Sequence, residues 1–207
     1  MQDQNDPGNA CMDNHHAHIE RLQQQVALFN NQQAYNALFL HFYPSLQQFA
    51  FSILRSKQLS EEVVSDVFIK IWEKRKMLHT ITNLKFYLFT STRNTALNYL
   101  KKQKGFQNLS PDEYWVELKS VFFDPEQLMI TAEMISNIHT AVQSLPARCK
   151  LIFKLIKEEG LKYREVAELL DISVKTVENQ MTLALKKIGT AIGFDMHRSV
   201  LSGIKSL

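Results

Sequence analysis

Apolar residues between positions 163 and 188 recur at the spacing of two short amphipathic helices joined by a tight turn. The inward face of the first helix contains Val166, Ala167, Leu169 and Leu170. In the second helix, steps of four, three and four place the apolar residues on one stripe of a 3.6-residue period. That stripe contains Val177, Met181, Ala184 and Ile188. The pattern predicts a helix-turn-helix, in which the small Ala167 allows the second helix to approach closely.

The predicted turn consists of Asp171, Ile172 and Ser173. A glycine often occupies such a turn, and aspartate replaces it at limited cost because it tolerates the left-handed conformation better than most side chains. Ser173 stands where an N-cap would start the second helix, since its hydroxyl can accept a hydrogen bond from the first helical turn.

The outer face of the second helix is polar. Asn and Lys side chains can hydrogen-bond base edges, while Thr and Lys can bind the phosphate backbone. This face favours nucleic acid as a partner, although an ordinary helical hairpin with a solvated polar face has the same pattern. Its residues are Lys175, Thr176, Glu178, Asn179, Thr182, Lys186 and Lys187.

The first half of the chain has apolar residues at helical spacing from about residue 32 to residue 56, and Pro44 either kinks this helix or splits it in two. Ser60 is the expected N-cap of a second helix that runs to about Lys76. The apolar face of that helix contains Val63, Val64, Val67, Phe68 and Ile71.

A third long helix with a basic and aromatic surface is predicted from its cap Asn83 to Gly105, which ends it. Because neither strand-like alternation nor an internal repeat occurs, the expected class is all-α, with two small helical domains joined by a linker. The C-terminal domain is the one with the helix-turn-helix. The expected divisions are a disordered tail (1–24), a first domain (25–104), a linker (105–124), a second domain (125–190) and a C-terminal tail (191–207).

Charge is distributed unevenly. The whole chain has a net charge of +3, yet residues 85–104 carry +5 and residues 112–133 carry −5. The acidic segment either shields basic DNA-facing surfaces or is a solvated spacer. The predicted linker at 105–124 contains Trp115, Phe122 and Phe123, which suggest that it docks on a surface.

The composition has enough apolar material for a core, at 45% hydrophobic residues. Two cysteines far apart in sequence favour a reducing compartment. No apolar run resembles a signal peptide or a membrane span, so a cytoplasmic, soluble protein is expected. One candidate set of metal ligands lies near the N-terminus: Cys11, His15, His16 and His18. A polar tail that happens to contain histidines is the favoured interpretation, because zinc ligands normally come in spaced pairs on an ordered frame.

The ordered set of segments resembles the extracytoplasmic-function (ECF) sigma factors, compact members of the bacterial sigma-70 family. The second half carries DPEQL at 124–128, SLPARCKLIFKL at 144–155, EEGLKYREVAELLDIS at 158–173 and KTVENQMTLALKKI at 175–188. In the first half, AYNALFLHFYPSLQQFAFSIL is similar to the opening helix of the promoter-melting domain. SEEVVSDVFIKIWEKR is similar to the polymerase-docking helix, and NLKFYLFTSTRNTALNYLKK to the reader of the −10 element.

This resemblance implies a factor that binds core RNA polymerase, recognises the −10 and −35 promoter elements and helps to open the duplex. The chemistry of RNA synthesis would belong to the polymerase, so neither catalytic residues nor a cofactor, a metal or a small-molecule substrate is expected. The resemblance also implies regulation by an anti-sigma factor, often membrane-bound, that covers the polymerase-binding surfaces.

Site residues follow from the matching positions. The polymerase-binding residues would be Asp66, Phe68, Ile69, Trp72 and Glu73. The −10 readers would be Lys85, Tyr87, Arg93, Asn94, Asn98 and Lys101, preceded by residues 78–83, where the family captures an unpaired base. The −35 element would face Lys175, Thr176, Glu178, Asn179 and Thr182, with Arg148, Lys162, Arg164 and Lys186 on phosphates. The alternatives are a solvated basic face and, for Trp72, a core aromatic.

Two other functions fit parts of the pattern. An operator-binding regulator would bind duplex DNA alone, as a dimer matched to two half-sites. The absence of a receiver-like α/β pattern counts against it. A helical protein-interaction adaptor would bind no DNA at all.

Overall fold

The computed structural model describes residues 7–103 and 132–191, with side chains described for residues 17–102 and 136–191. The chain divides into two compact units, residues 1–107 and residues 108–207. Within the described ranges every regular element is helical, which confirms the expected all-α class. The predicted linker at 105–124, with its aromatic residues, and the tail beyond residue 191 lie outside those ranges.

The first helix, α1, runs from Pro7–Phe29. The prediction of a disordered tail through residue 24 is therefore wrong where the chain is described. One face of α1 packs on the helices that follow, and Gln23, Val26 and Ala27 are buried there. Glutamines interrupt the apolar pattern of this helix, so its period is weak in the sequence.

Helix α2 spans Gln32–Leu54 and is continuous through Pro44, so the proline does not split it. Pro44 lies on the exposed side of the helix, where water can bond a carbonyl that loses its intrahelical donor. The helix begins at the cap Asn31, whose side-chain oxygen accepts from the backbone N–H groups of Gln33 and Ala34 at 2.9 and 3.0 Å.

Helix α3 spans Lys57–Glu73 and is followed by a 3-10 helix at Arg75–Thr80. The predicted cap at Ser60 is wrong: the cap is Ser56, whose Oγ accepts from the Leu59 N–H at 3.3 Å. Ser60 is fully buried, and its hydroxyl donates back to the Ser56 carbonyl at 2.6 Å. A serine one turn inside the helix fits the core because it is small and satisfies its own hydroxyl.

Helix α4 spans Leu84–Gln103, and Asn83 caps it as predicted, since its Oδ1 accepts from the Phe86 N–H at 3.0 Å. The end predicted at Gly105 lies outside the described residues. Helices α2, α3 and α4 pack on one another around a core in which the rings of Phe49 and Phe89 lie edge to face, 5.2 Å apart.

The second unit contains α5 (Ala132–Gln143), α6 (Ala147–Lys157), α7 (Tyr163–Leu170) and α8 (Val174–Ala191). The start of the second domain, predicted at residue 125, is not among the described residues. Helix α8 packs against the other three helices. The predicted inward residues of α7 are all buried, as are Val177, Met181 and Ala184 of α8, while Ile188 is half-buried. Cys149 of α6 is fully buried, and its thiol donates to the Gln180 carbonyl of α8 at 3.3 Å.

The turn between α7 and α8 contains Asp171 in the left-handed conformation, with φ 55° and ψ 50°. Because β-branched side chains are strained there, we expect Asp171→Val to lower the free energy of unfolding by about 1 to 2 kcal/mol, whereas Asp171→Gly is tolerated. Urea unfolding of the full chain measures both. Glu168→Val, at an exposed helical position one turn earlier, is the control and should cost only about 0.5 kcal/mol. Equal losses for the two valine variants would contradict the backbone argument.

Candidate nucleic-acid interface

Helix α8 presents one exposed polar stripe, on the side opposite its buried residues. The stripe consists of four exposed residues spaced by four, three and four positions: Lys175, Asn179, Thr182 and Lys186. Ser173 caps this helix as predicted, since its Oγ accepts from the Thr176 N–H at 3.0 Å. The capped N-terminus and the buried opposite face therefore fix the direction in which the stripe points.

Two predicted −35 residues flank this stripe and are partly engaged within the helix. Thr176 is half-buried, and its hydroxyl lies 2.9 Å from that of the cap Ser173. Glu178 Oε2 lies 3.1 Å from Lys175 Nζ, and both side chains are largely exposed. Such a surface ion pair contributes less than about 1 kcal/mol, so Lys175 can exchange it for a DNA contact at little cost.

The predicted phosphate contacts differ in accessibility. Lys162 and Arg164 are exposed at the start of α7. The backbone N–H of Lys162 donates to Glu165 Oε2 at 2.8 Å, which leaves the lysine ammonium group outside the cap. Arg148 is half-buried on α6 and already interacts within the chain. Lys162 and Arg164 thus fit the phosphate role better than Arg148 does.

Helix α4 brings four of the six predicted −10 residues onto one exposed stripe. These four residues are exposed and spaced by seven, four and three positions along the helix: Tyr87, Asn94, Asn98 and Lys101. The other two predicted residues, Lys85 and Arg93, are half-buried and lie off this stripe. Their charges therefore do not belong to the same face.

Residues 78–83, which precede α4 and where the family captures an unpaired base, are partly helical and partly buried. The 3-10 helix covers the first three of them, and Leu78 is buried. His79, Thr80 and Thr82 are the exposed members. The side-chain amide of Gln23 on α1 donates to the carbonyls of Leu78 and Ile81, a contact that sequence reasoning missed.

The predicted polymerase-binding residues of α3 point in different directions. Phe68 is only 2% exposed and packs edge-on against the rings of Tyr35 and Phe39, with centroids 6.1 and 4.9 Å away. Its assignment as a contact is therefore wrong, because it is a core residue. Ile69, which is 55% exposed, and Glu73 are accessible.

Trp72 is half-buried, so part of its ring lies in the core and part is accessible, and its contact with the polymerase stays a prediction. One side lies against Tyr35, with ring centroids 4.9 Å apart. The guanidinium of Arg75 stacks 4.7 Å from the ring centroid. Arg75 in turn donates from Nη1 to the Trp72 carbonyl at 2.8 Å, so the indole is held in place from the side of the 3-10 helix.

Asp66 is half-buried between α3 and α4, where its Oδ2 accepts from the Tyr99 hydroxyl at 2.8 Å. This carboxylate therefore has a structural partner as well as a predicted binding role. The bond to Asp66 raises the pKa of the Tyr99 hydroxyl, and burial and the nearby carboxylate charges raise it further.

Within the described side chains, no group of three or more His, Cys, Asp or Glu residues could hold a metal ion. His18 lies 3.1 Å from Arg21, at Nδ1 and Nη2, while the side chains of Cys11, His15 and His16 are not described. None of the helices in residues 7–103 and 132–191 is long and apolar enough to cross a membrane.

Two family models match the chain, one in each unit. The model "Sigma-70 region 2" matches residues 38–106, which include α3 and α4. The model "Sigma-70, region 4" matches residues 135–188, which include the helix-turn-helix. The chain belongs to the ECF group of the sigma-70 family. It is an RNA polymerase sigma factor that directs promoter-specific initiation of transcription.

Curated relatives agree with this family over most of their length. This sigma factor is 25% identical to the ECF RNA polymerase sigma-E factor of Escherichia coli K12 over 182 residues, covering 84% of this chain and 92% of the relative. It is 22% identical to the RNA polymerase sigma-H factor of Pseudomonas aeruginosa PAO1, covering 84% and 91%.

Among solved structures, a co-crystal of the sigma factor RpoE with the anti-sigma factor NepR from Bartonella quintana matches at 22% identity and a TM-score of 0.45. The match covers 78% of this sigma factor and 98% of that chain.

The bond between Asp66 and Tyr99 makes a structural prediction for region 2 of this sigma factor. Tyr99→Phe should lower the free energy of unfolding by about 1 kcal/mol and leave polymerase affinity unchanged, because the carboxylate is kept. The pKa of Tyr99 is higher in the folded protein than in the unfolded chain, so the protonated hydroxyl stabilises the folded state. This stabilisation is fully present below the pKa of the unfolded chain and is lost as the pH rises through the pKa of the folded protein.

The wild type should therefore lose more stability than Tyr99→Phe above a pH of about 10. Urea unfolding between neutral and alkaline pH measures the difference. The same alkaline loss in both proteins would show that the hydroxyl contributes nothing.

Proposed function

We propose that the exposed stripe of α8 reads the −35 element in the major groove. The observation that carries this proposal is the position of Lys175, Asn179, Thr182 and Lys186 on the outer face of the second helix of a helix-turn-helix. The N-terminal part of such a helix meets base edges, so Lys175 and Asn179 are the direct readers. Lys186, further along the helix, binds phosphate together with Lys162 and Arg164.

The α4 stripe reads the −10 element in the opened strand. Tyr87 offers a face on which a base can stack, while Asn94 and Asn98 offer amide edges that can hydrogen-bond a base. Lys101 at the far end of the stripe is suited to the backbone. Residues 78–83, just before this helix, receive a base that leaves the stack.

Core RNA polymerase docks on the exposed part of α3. Ile69 supplies the apolar contact, Glu73 and the outer edge of Trp72 flank it, and Asp66 contributes the carboxylate oxygen that Tyr99 does not occupy. Aromatic and apolar anchors surrounded by charge are typical of such interfaces. Polymerase docking places the activity of this sigma factor in the cytoplasm.

An anti-sigma factor that covers the α3 surface would keep this sigma factor from the polymerase. The B. quintana structure supports this idea by likeness only, since its printed description names a sigma factor bound to an anti-sigma factor. An apolar residue as exposed as Ile69 is a suitable anchor for either partner.

Reconstituted transcription tests the assignment of each stripe to its promoter element. We would cross two variants, Lys175→Ala with Asn179→Ala on α8 and Asn94→Ala with Asn98→Ala on α4, with promoters mutated in one element at a time. Each variant should become insensitive to mutation of its own element and remain sensitive to mutation of the other.

Binding without polymerase separates this function from the operator-binding regulator. The sigma factor alone should bind duplex promoter DNA weakly, whereas a regulator would bind tightly as a dimer.

In the transcription experiment with the α8 and α4 variants, a loss of sensitivity to the same promoter element in both variants would show that the assignment of the two stripes is wrong.

A further inference from the structure

Gln23 is a polar residue at a core position of α1. Its side chain lies in the first unit with only 6% of the residue exposed, next to the buried Val26 and Ala27. Both hydrogen bonds of its Nε2 group go to the segment before α4: the Leu78 carbonyl lies at 2.5 Å and the Ile81 carbonyl at 2.7 Å. Because both acceptors are carbonyl oxygens, the donor must be the amide nitrogen.

This contact joins residues that are 55 and 58 positions apart in the chain, at a place where the backbone leaves helical geometry. The 3-10 helix ends at Thr80, and Ile81 is extended. The Leu78 carbonyl also accepts from the Ile81 N–H at 3.0 Å, so it is the Ile81 carbonyl, beyond the end of the 3-10 helix, that has no helical donor. Leaving such a carbonyl unbonded away from water is costly. Gln23 therefore supplies the donor that lets residues 78–83 adopt this one conformation.

A second contact holds the start of the 3-10 helix that leads into this segment. Asn30, in the left-handed turn between α1 and α2, accepts at Oδ1 from Arg75 Nε at 2.5 Å. Arg75 is the first residue of the 3-10 helix. Residues 75–83 are thus attached to the first helix and its following turn at two places, and only the place held by Gln23 is next to α4.

We propose that Gln23 is a positioning residue for −10 recognition, which sets the backbone of residues 78–83 so that they can receive the unstacked base. This inference rests on the proposed role of that segment as the base-receiving site. Gln23 touches no DNA and acts only through the carbonyls of Leu78 and Ile81. Its loss should alter the selectivity at one −10 position rather than the overall affinity for promoters.

The test compares Gln23→Met, which has a similar length but no donor, with Gln24→Met at the exposed neighbouring position. A third variant, His79→Ala with Thr82→Ala, changes the exposed side chains of the segment itself. Each protein, with core polymerase, transcribes a set of promoters that carry every single-base change in the −10 element and a matching set for the −35 element. The discrimination ratio is the activity on the best base divided by that on each other base.

We expect Gln23→Met to lower the discrimination ratio at one −10 position roughly threefold to tenfold, the size that follows from losing one or two net hydrogen bonds. The −35 ratios should not change, and Gln24→Met should match the wild type. Misfolded protein cannot imitate this result, because an inactive fraction lowers both activities equally and leaves their ratio unchanged.

Two other outcomes would overturn the inference, and they are distinguishable. If the His79 and Thr82 variant loses −10 discrimination while Gln23→Met keeps it, Gln23 is a structural residue only and the base-receiving role of residues 78–83 stands. If neither variant changes any −10 ratio, that role is itself wrong and the positioning role of Gln23 is lost with it.

Discussion

Replacing Lys175 and Asn179 together by alanine is expected to lower transcription from promoters that depend on the −35 element roughly a hundredfold, or about 3 kcal/mol. Both side chains lie on the exposed stripe of α8, near its N-terminus, and neither supports the fold. Lys175 gives up only a surface ion pair with Glu178, at 3.1 Å. The loss should therefore fall on DNA recognition alone.

The measurement is run-off transcription with saturating core polymerase, alongside a direct assay of polymerase affinity, which should stay unchanged. Lys187→Ala is the matched control, because this lysine of the same helix is exposed but lies off the stripe. It lies on the side of α8 near the buried Cys149 thiol, whose pKa its charge lowers. A parallel fall in transcription and polymerase affinity would place the recognition surface elsewhere or reveal unfolding.

Ile69→Asp is expected to weaken binding to core polymerase by about 2 kcal/mol, roughly thirtyfold, with little change in stability. The side chain is 55% exposed on α3, so the folded protein gains little from it. A charge at the centre of a docking surface loses apolar contact and must be desolvated when the partner binds.

Leu40→Asp is the control for this substitution, since Leu40 is a comparably exposed apolar residue, at 71%, on α2. Competition for core polymerase against a labelled wild-type sigma factor gives both affinities. Equal losses for the two variants would mean that exposed apolar residues matter generally, and an unchanged affinity for Ile69→Asp would remove α3 as the docking helix. Asp66→Arg is a poorer test, because it also breaks the bond from Tyr99 and cannot leave the fold unaffected.

The helix-turn-helix could be predicted from sequence because the features that define it are local. The apolar spacing fixed the buried faces of α7 and α8, Ser173 is a cap by residue type and position, and Asp171 adopts the expected left-handed conformation. A helical period also determines which side chains face outward. The α8 stripe could therefore be predicted almost residue by residue.

For the α3 surface, the sequence could predict which stretch of the chain is involved but not which of its side chains face outward. Apolar spacing itself places Phe68 on the buried face, but the family resemblance assigns a role to a stretch of chain rather than to one side of a helix. Phe68 and Ile69 are adjacent, yet one lies in the core and the other faces outward. The same difficulty affects α4, where Lys85 and Arg93 belong to a basic segment but not to its exposed stripe.

Non-local contacts were beyond the sequence. The period of α1 is interrupted by glutamines, and nothing in its own pattern shows that one of them bonds a backbone segment more than 50 residues later. The bond between Asp66 and Tyr99 also joins two helices whose pairing a single sequence does not reveal. Ser60 had the residue type of a cap, but packing of the core placed it one turn inside the helix.

The burial of Cys149 gives region 4 an intrinsic chemical probe. Its thiol is enclosed between α6 and α8, and burial raises its pKa, so little of the reactive thiolate is present. An alkylating reagent such as iodoacetamide can reach it only when the two helices separate. In a Cys11→Ser background, the rate of labelling therefore measures how often that separation occurs, and bound promoter DNA should slow it by holding α8 in place.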